Sequence, residues 1–295
     1  MTASPASKAR PASKAEPASP ANPASPAFRA APASSTWAQV GPLLRQWRER
    51  RRISQLELAL RADSSARHVS FLENGRSRPS QAMVLKLAEH LDVPIRERNT
   101  LLVAAGYAPV YGETSLADPS MDGLRAAVER LLEAHDPYPA VVVDGGYDLV
   151  AANRSMSVLL EGVAGHLLEP PANALRITFH PEGLAPHILN LKQWRENLLE
   201  RLRRHIAVHQ AEVLTRLHDE IKDFPAPPGH QDVGQELGET SFALPLRLRH
   251  RGRELAFIGA VSTFNSPWDV TVSELAMETF LPANPETAKA VRGWV

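Results

Sequence analysis

Apolar residues in the chain recur first at helical spacing and later at strand spacing. Val40, Leu43, Leu44 and Trp47 share one stripe, and Arg48, Arg50, Arg51 and Arg52 follow as a charged end. Ser54 stands before Gln55-Leu56-Glu57, with the glutamate three residues on, which predicts a capped second helix. A break at Ala62-Asp63-Ser64 leads to Ser65, a second cap, and a helix from Ala66 to Glu73 ended by Asn74-Gly75. Pro79-Ser80 precedes a fourth helix with Met83, Leu87 and Leu91 inward and Val84 and Ala88 beside them. Pro94 and Ile95 open a fifth, reaching about Ala105, and Gly106 closes it. Leu56, Ala59, Val69 and Leu72 are expected to face the core of this five-helix unit.

Beyond a linker around Ala108–Ser115 the pattern mixes. Asp118-Pro119 predicts a capped helix through Leu124, Val128, Leu131 and Leu132, ending at His135-Asp136-Pro137. Ala140–Asp144 and Tyr147–Ala151 read as two strands around a Gly145-Gly146 turn, and Asn153 as the cap of a short helix carrying Met156, Leu159 and Leu160. Leu175–Phe179 reads as a strand or a crossing loop. Leu189–His218 is a long helix with a break near Gln210, and Leu191, Trp194, Leu198, Leu202 and Ile206 form its stripe. Pro225–Gln235 reads as loop. Phe242–Leu248 and Leu255–Val261 alternate as strands around a His250–Arg253 turn, and Leu275–Leu281 fits a strand or a helix. This order suits an antiparallel sheet with one face covered by helices, a PAS-like α+β architecture.

Composition separates the two halves. Formal charge over all 295 residues is +0, yet residues 37–110 hold 12 Lys/Arg against 7 Asp/Glu, while 111–295 hold 17 against 25. Only the first module should attract a polyanion. Residues 1–36 contain seven prolines among Ala and Ser, with too little apolar area to fold, and read as a disordered tail. The organisation expected is therefore tail 1–36, helical module 37–110, linker 111–117 and α+β module 118–295. With no cysteine, disulfides, cysteine-ligated zinc and cysteine nucleophiles are excluded. No apolar run approaches the roughly 20 residues of a membrane span, so no membrane partner is expected.

Two short helices joined by a tight turn inside a five-helix unit make a helix-turn-helix. Its second helix exposes Ala66, Arg67, Ser70 and Phe71, with His68 at the edge. Arg67 can fork onto a base edge, and Gln55 at a helix start can hold a phosphate. The stretch SQLELALRADSSARHVSFLENGRSRPSQAMVLKLAEHLDVP resembles the Xre/Cro-like repressor domains. The resemblance implies a phosphate contact at Gln55, base reading by Ala66, Arg67, Ser70 and Phe71, and backbone contacts around Asn74, Arg76 and Arg78, with Ser65 and His68 also counted at the DNA interface. The usual turn glycine is Asp63, and the usual apolar residue after it is Ser64. Glu73 is expected to tie its helix end to a neighbouring arginine. One recognition helix spans few base pairs, so a homodimer on a near-palindromic operator of duplex DNA is expected, joined through the long helix or the Pro119–Leu132 helix.

The second module is similar to the ligand-binding domain of MmyB-like transcription regulators, through HDPYPAVVVD at 135–144, VAANRS at 150–155, FHPEGLAPHILN at 179–190, LPLRLR at 244–249 and VSTFNSPWDVTVSELAMETFLP at 261–282. That resemblance implies a cytoplasmic regulator holding a small hydrophobic, fatty-acid-like ligand, with no cofactor required. Candidate slot residues are Asn153, Met156, Phe179, His187, Asn190, Leu191, Trp194 and Phe257, with the Asn190/Trp194 pair offering an amide and an indole N–H from one helix face. A repressor is the expected sense. The competing readings are an adaptor whose second module only dimerises, and an enzyme. His205 and His209 have the spacing of two metal ligands but lack the accompanying glutamate, no GxSxG, P-loop or GxGxxG occurs, and no metal is expected.

Overall fold

The computed structural model describes residue 37 and residues 39–209, 212–229 and 243–294. The tail at 1–36, Phe242, Gln210 and most of the 225–235 loop lie outside the described residues.

Five helices form the first part: α1 (Val40–Arg50), α2 (Gln55–Arg61), α3 (Ala66–Glu73), α4 (Gln81–His90) and α5 (Ile95–Ala104). The serines act as caps. Ser54 accepts from Glu57 N at 3.1 Å, Ser65 from His68 N at 3.1 Å and Ser80 from Met83 N at 3.2 Å, each satisfying a first-turn donor that the helix cannot. Leu44, Trp47, Leu58, Ala59, Val69, Leu72 and Leu87 close around one core. Leu56 departs from expectation: it is 61% exposed, because the α2 stripe that meets the core is Leu58 and Ala59. Gly41 is where α1 crosses the end of α3, since a Cβ there would stand 2.5 Å from Leu72 O and 2.6 Å from Glu73 O.

The α2–α3 turn explains the missing glycine. Asp63 takes the left-handed conformation, φ 50°, which an L side chain adopts at a cost. Ser64 is half-buried and holds His68 Nδ1 through its hydroxyl at 3.2 Å. Because Asp63 is exposed, Asp63→Gly should raise the stability of the helical module by roughly 0.5–1 kcal/mol. Chemical denaturation tests this, and an unchanged or lower midpoint refutes it.

Residues after α5 are docked rather than loose. Asn99 holds the chain at Val110 and Tyr111, and Thr114 donates N–H and hydroxyl hydrogen bonds to Asp269 Oδ2 at 3.1 and 2.7 Å. Asp118 caps a 3-10 turn at Pro119–Met121, and α6 (Asp122–His135) follows.

The second part is a five-stranded antiparallel sheet in the order β2-β1-β5-β4-β3, from β1 (Ala140–Val143), β2 (Leu149–Ala152), β3 (Leu246–His250), β4 (Arg253–Thr263) and β5 (Ala276–Pro282). The Leu275–Leu281 ambiguity resolves as the central strand β5, entered through the short helix α11 (Val270–Glu274). The β3 strand begins at Leu246, so Leu244 lies ahead of the ladder. Leu175–Phe179 is neither strand nor loop: α8 (Ala174–Phe179) is a helix capped by Asn173, whose side chain accepts from Leu175 N and Arg176 N. Helix α7 (Arg154–Leu159) precedes it and packs against β1, and α9 (Leu191–His209) and α10 (Glu212–Lys222) lie on either side of residues 210 and 211. A last helix, α12 (Pro285–Val291), packs against β4 and β5.

Helices cover more than one face. Val141 and Val143 join the large cluster with α7–α10, whereas Ala140, Val142 and Met277 pack on Val128 and Leu132 of α6. All four residues of β1 are buried for that reason, and period-two alternation is absent there. Beyond β1 and β5 the α6 layer stops, and the C-terminal half of β4, from Gly259 to Thr263, is exposed.

Candidate functional site

Two places present chemistry: the outer face of α3, and a slot between the sheet and helices α7–α9.

On α3, Arg67 is exposed with its guanidinium 5.2 Å from the Phe71 ring, and Arg76 lies 6.0 Å from the same ring. Ala66, Ser70 and Phe71 are half-exposed around them. Phe71 is thus a platform under two cations. Asn74 is exposed and folds back on its own helix, its amide donating to Ser70 O at 2.7 Å and to Ser70 Oγ at 3.3 Å. Arg78 stacks 5.1 Å from Tyr107. Ser65 is exposed but spent as a cap, and His68 is half-buried on Ser64.

Beneath this face lies a buried ion pair. Glu73, 4% exposed, receives Arg48 Nε at 2.6 Å and Nη2 at 2.9 Å, and Gln55 Nε2 donates to the same carboxylate at 2.7 Å. The expected glutamate–arginine tie is there, with Arg48 as its partner. The carboxylate hydrogen bond holds the Arg48 guanidinium above its ordinary pKa. Gln55 is thereby set at the start of α2 with one amide hydrogen engaged.

The slot has a volume of about 80 Å³. Its walls come from Leu149 on β2, Met156 and Leu159 on α7, Ile177 on α8, Trp194 and Leu198 on α9, and Gly259 and Phe280 on the sheet. Its polar end is an ion pair, Arg201 Nη2 to Glu278 Oε1 at 2.7 Å. The Arg201 guanidinium also sits 6.0 Å from the Tyr147 ring, and the Tyr147 hydroxyl meets His205 Nδ1 at 3.4 Å. Burial pushes the Tyr147 pKa up and the His205 pKa down, so both favour their neutral forms there.

Of the residues expected from sequence, Met156 and Trp194 line the slot. The others do not. Phe179 and Phe257 are 0% exposed and Leu191 is 4% exposed, and all three belong to the packed interior behind the slot wall. His187 is exposed on a 3-10 turn at Ala185–His187. Asn190 precedes α9 and does not share a helix face with Trp194. Its Nδ2 donates to Pro245 O at 2.8 Å and its Oδ1 accepts from Arg247 N at 3.0 Å, so the amide ties α9 to the segment entering β3. Asn153 caps α7 and ties three elements together. Its Oδ1 accepts from Ala140 N and Met156 N, each at 3.0 Å, while Nδ2 donates to Tyr138 O at 2.8 Å and to Leu132 O at 3.4 Å.

Sequence reasoning missed Arg201 and Glu278. The signal for Arg201 was present: it stands seven residues beyond Trp194, two helical turns along the same stripe. For Glu278 only the pairing of β5 places it opposite that stripe. Of the two spaced histidines, His205 faces Tyr147, and the His209 side chain lies outside the described residues. Among the described residues, His166, His180 and Glu182 approach one another, but His180 Nδ1 already accepts the Glu182 N–H at 3.1 Å. No described helix is long and apolar enough to cross a membrane.

Comparison with known proteins gives two family matches. Residues 124–293 match the model described as "MmyB-like transcription regulator ligand binding domain", and residues 44–98 match "Helix-turn-helix". A solved chain, the clp gene regulator ClgR from Corynebacterium glutamicum, is 26% identical, covering 35% of this chain and 93% of its own. Its TM-score of 0.23 is too low to carry a structural argument. Among curated proteins, none matches.

Proposed function

The chain belongs to the MmyB-like transcription regulators, a DNA-binding helix-turn-helix joined to a ligand-binding domain, and we propose that it represses transcription until a small acyl-type ligand enters the slot. The observation that carries this reading is the slot itself: an apolar cavity between layers with a single ion pair at its end, the usual construction of a small-molecule site. An apolar cavity of roughly 150 Å³ accepts benzene, so 80 Å³ admits about the last three carbons of an acyl chain, the rest lying toward the Arg201–Glu278 end. Each methylene buried contributes about 0.8 kcal/mol. The Arg201 guanidinium is placed to exchange Glu278 for a ligand's polar end.

Gly259 supplies a clean test. A Cβ built there meets nothing within 4 Å and the residue lines the slot, so Gly259→Leu adds side-chain bulk at the slot wall with no clash at Cβ. Native mass spectrometry of the full chain should show an acyl adduct, or saturable uptake of short fatty acids, that Gly259→Leu removes. Absence of both adduct and uptake in the parent protein overturns the sensor reading and favours the adaptor.

The DNA contacts we assign are base reading by Arg67 from the Ala66, Ser70 and Phe71 face, a phosphate at Gln55, and backbone contacts near Ser65, His68, Asn74, Arg76 and Arg78. The protein acts in the cytoplasm as a homodimer on a near-palindromic operator, because two recognition helices read half-sites about 34 Å apart. Arg67→Ala should cost roughly 1–3 kcal/mol at one or two base pairs. Gln55→Ala should weaken all sequences evenly, since phosphates carry little sequence information. A mapped footprint whose sequence preference survives Arg67→Ala would show that the reading face lies elsewhere. Sedimentation giving one protein per operator would eliminate the dimer.

A further inference from the structure

Next to the slot lies a second, much larger cavity. It measures about 800 Å³ and shares Arg201, Glu278 and Val261 with the slot, so the Arg201–Glu278 pair is a partition between the two spaces. Its far wall comes from the helix-turn-helix part: Arg96 and Glu97 of α5. Arg96 reaches across to the ligand-binding domain, its Nε and Nη2 donating to the two Glu274 oxygens at 2.6 and 2.9 Å, and Nη2 also meets Glu113 at 2.7 Å. Glu274 ends α11, two residues before β5, and Glu278 stands on β5 itself. Asp269, the α11 cap, grips Thr114 between the two parts.

The sizes are the wrong way round for a simple fatty acid. A bare carboxylate would satisfy Arg201 and leave the large cavity to water. The charges are also unequal: two arginines, Arg96 and Arg201, face four carboxylates, Glu97, Asp144, Glu274 and Glu278. A head group carrying several phosphates would therefore enter an already negative space. Burial raises the pKa of both Glu97 and Asp144, against the opposing pull of Arg96 and Arg50 on Glu97 and of the Asp148 and Gly146 N–H bonds on Asp144.

We infer that the junction cavity is the head-group chamber of the same ligand site, and that the ligand is a short acyl chain on a bulky, neutral or cationic polar head. This rests on the slot reading above. The tail lies among Met156, Ile177, Trp194 and Gly259, and the head passes the Arg201–Glu278 partition and meets Glu97, Asp144 and the Arg96–Glu274 pair. Because Arg96 and Glu97 belong to the DNA-binding part, the head group touches both domains and binds differently according to how they are joined. That differential affinity is what a switch requires.

Isothermal titration of the full chain with three hexanoyl probes separates the claims: hexanoate, hexanoylcholine and hexanoyl coenzyme A. Hexanoylcholine should bind at least tenfold tighter than hexanoate, and the coenzyme A ester should bind weakest. Glu97→Gln should cut the preference for the choline ester several-fold while leaving hexanoate unchanged, and Gly259→Leu should abolish all binding. Equal affinity for hexanoate and hexanoylcholine, both lost in Gly259→Leu, keeps the slot and overturns the chamber. Tightest binding by the coenzyme A ester overturns the charge argument and the proposed head with it. No binding of any probe, or binding indifferent to Gly259→Leu, overturns the slot reading and this inference together.

Discussion

Replacing Glu73 by Ala should destabilise the helix-turn-helix by about 3–5 kcal/mol, the range for removing one member of a buried pair. The reason is the charge left behind. Arg48 is 8% exposed, and only Ile53 O, at 3.0 Å from Nη1, and the exposed Glu49, at 3.7 Å from Nη2, would remain beside its guanidinium. Such a loss is a large share of the stability of a small domain. The paired replacement Arg48→Met with Glu73→Leu should recover most of it, because both desolvation costs vanish together. DNA affinity should not recover to the same extent, since Gln55 loses the carboxylate that fixes its amide. Denaturant unfolding and operator titration on the single and double variants check both parts. A single variant losing less than about 1 kcal/mol would mean that the pair is not buried as described.

Asn153→Ala is expected to be nearly as severe, about 3–4 kcal/mol, but in the ligand-binding domain. A helix cap is worth roughly 0.5–2 kcal/mol, and each buried group left unsatisfied adds roughly 1–3 kcal/mol. Asn153 is 5% exposed and serves α7, β1 and the carbonyls of Tyr138 and Leu132 at once. Since α7 carries Met156 and Leu159 into the slot, ligand uptake should fall as well. Asn153→Asp keeps the acceptor oxygens and loses the donor, so its stability should lie between Ala and the parent. Thermal unfolding of the three proteins decides, and an Asp variant no better than Ala refutes the capping argument.

The part of this architecture carried by local signals was legible in the sequence. Serine caps, Asn74-Gly75, Pro94 and the 3.6-residue stripe define five helices because each signal acts within one turn of the chain. The Glu73–arginine tie was legible too, since a helix-end carboxylate in a basic module needs a nearby cation. The charge division between the two modules likewise needs no structure. Asp63 is readable as a strained turn, because its backbone must be left-handed whichever residue stands there.

Contacts between distant segments decided the rest. Phe179, Leu191 and Phe257 have the same apolar character as Met156 and Trp194, and only the stacking of α7–α9 on the sheet determines which wall the slot and which fill the core. Leu175–Phe179, read as a strand or a loop, is too short for its period to reveal a helix, and the local signal that does, the Asn173 cap, went unread. Asn190 looked available because its partners, Pro245 and Arg247, lie more than fifty residues away. The partition Arg201–Glu278 spans 77 residues and the junction pair Arg96–Glu274 spans 178. Periodicity reports which face of an element is apolar. It carries no information about which distant element that face meets, and at these sites the meeting of elements is the chemistry.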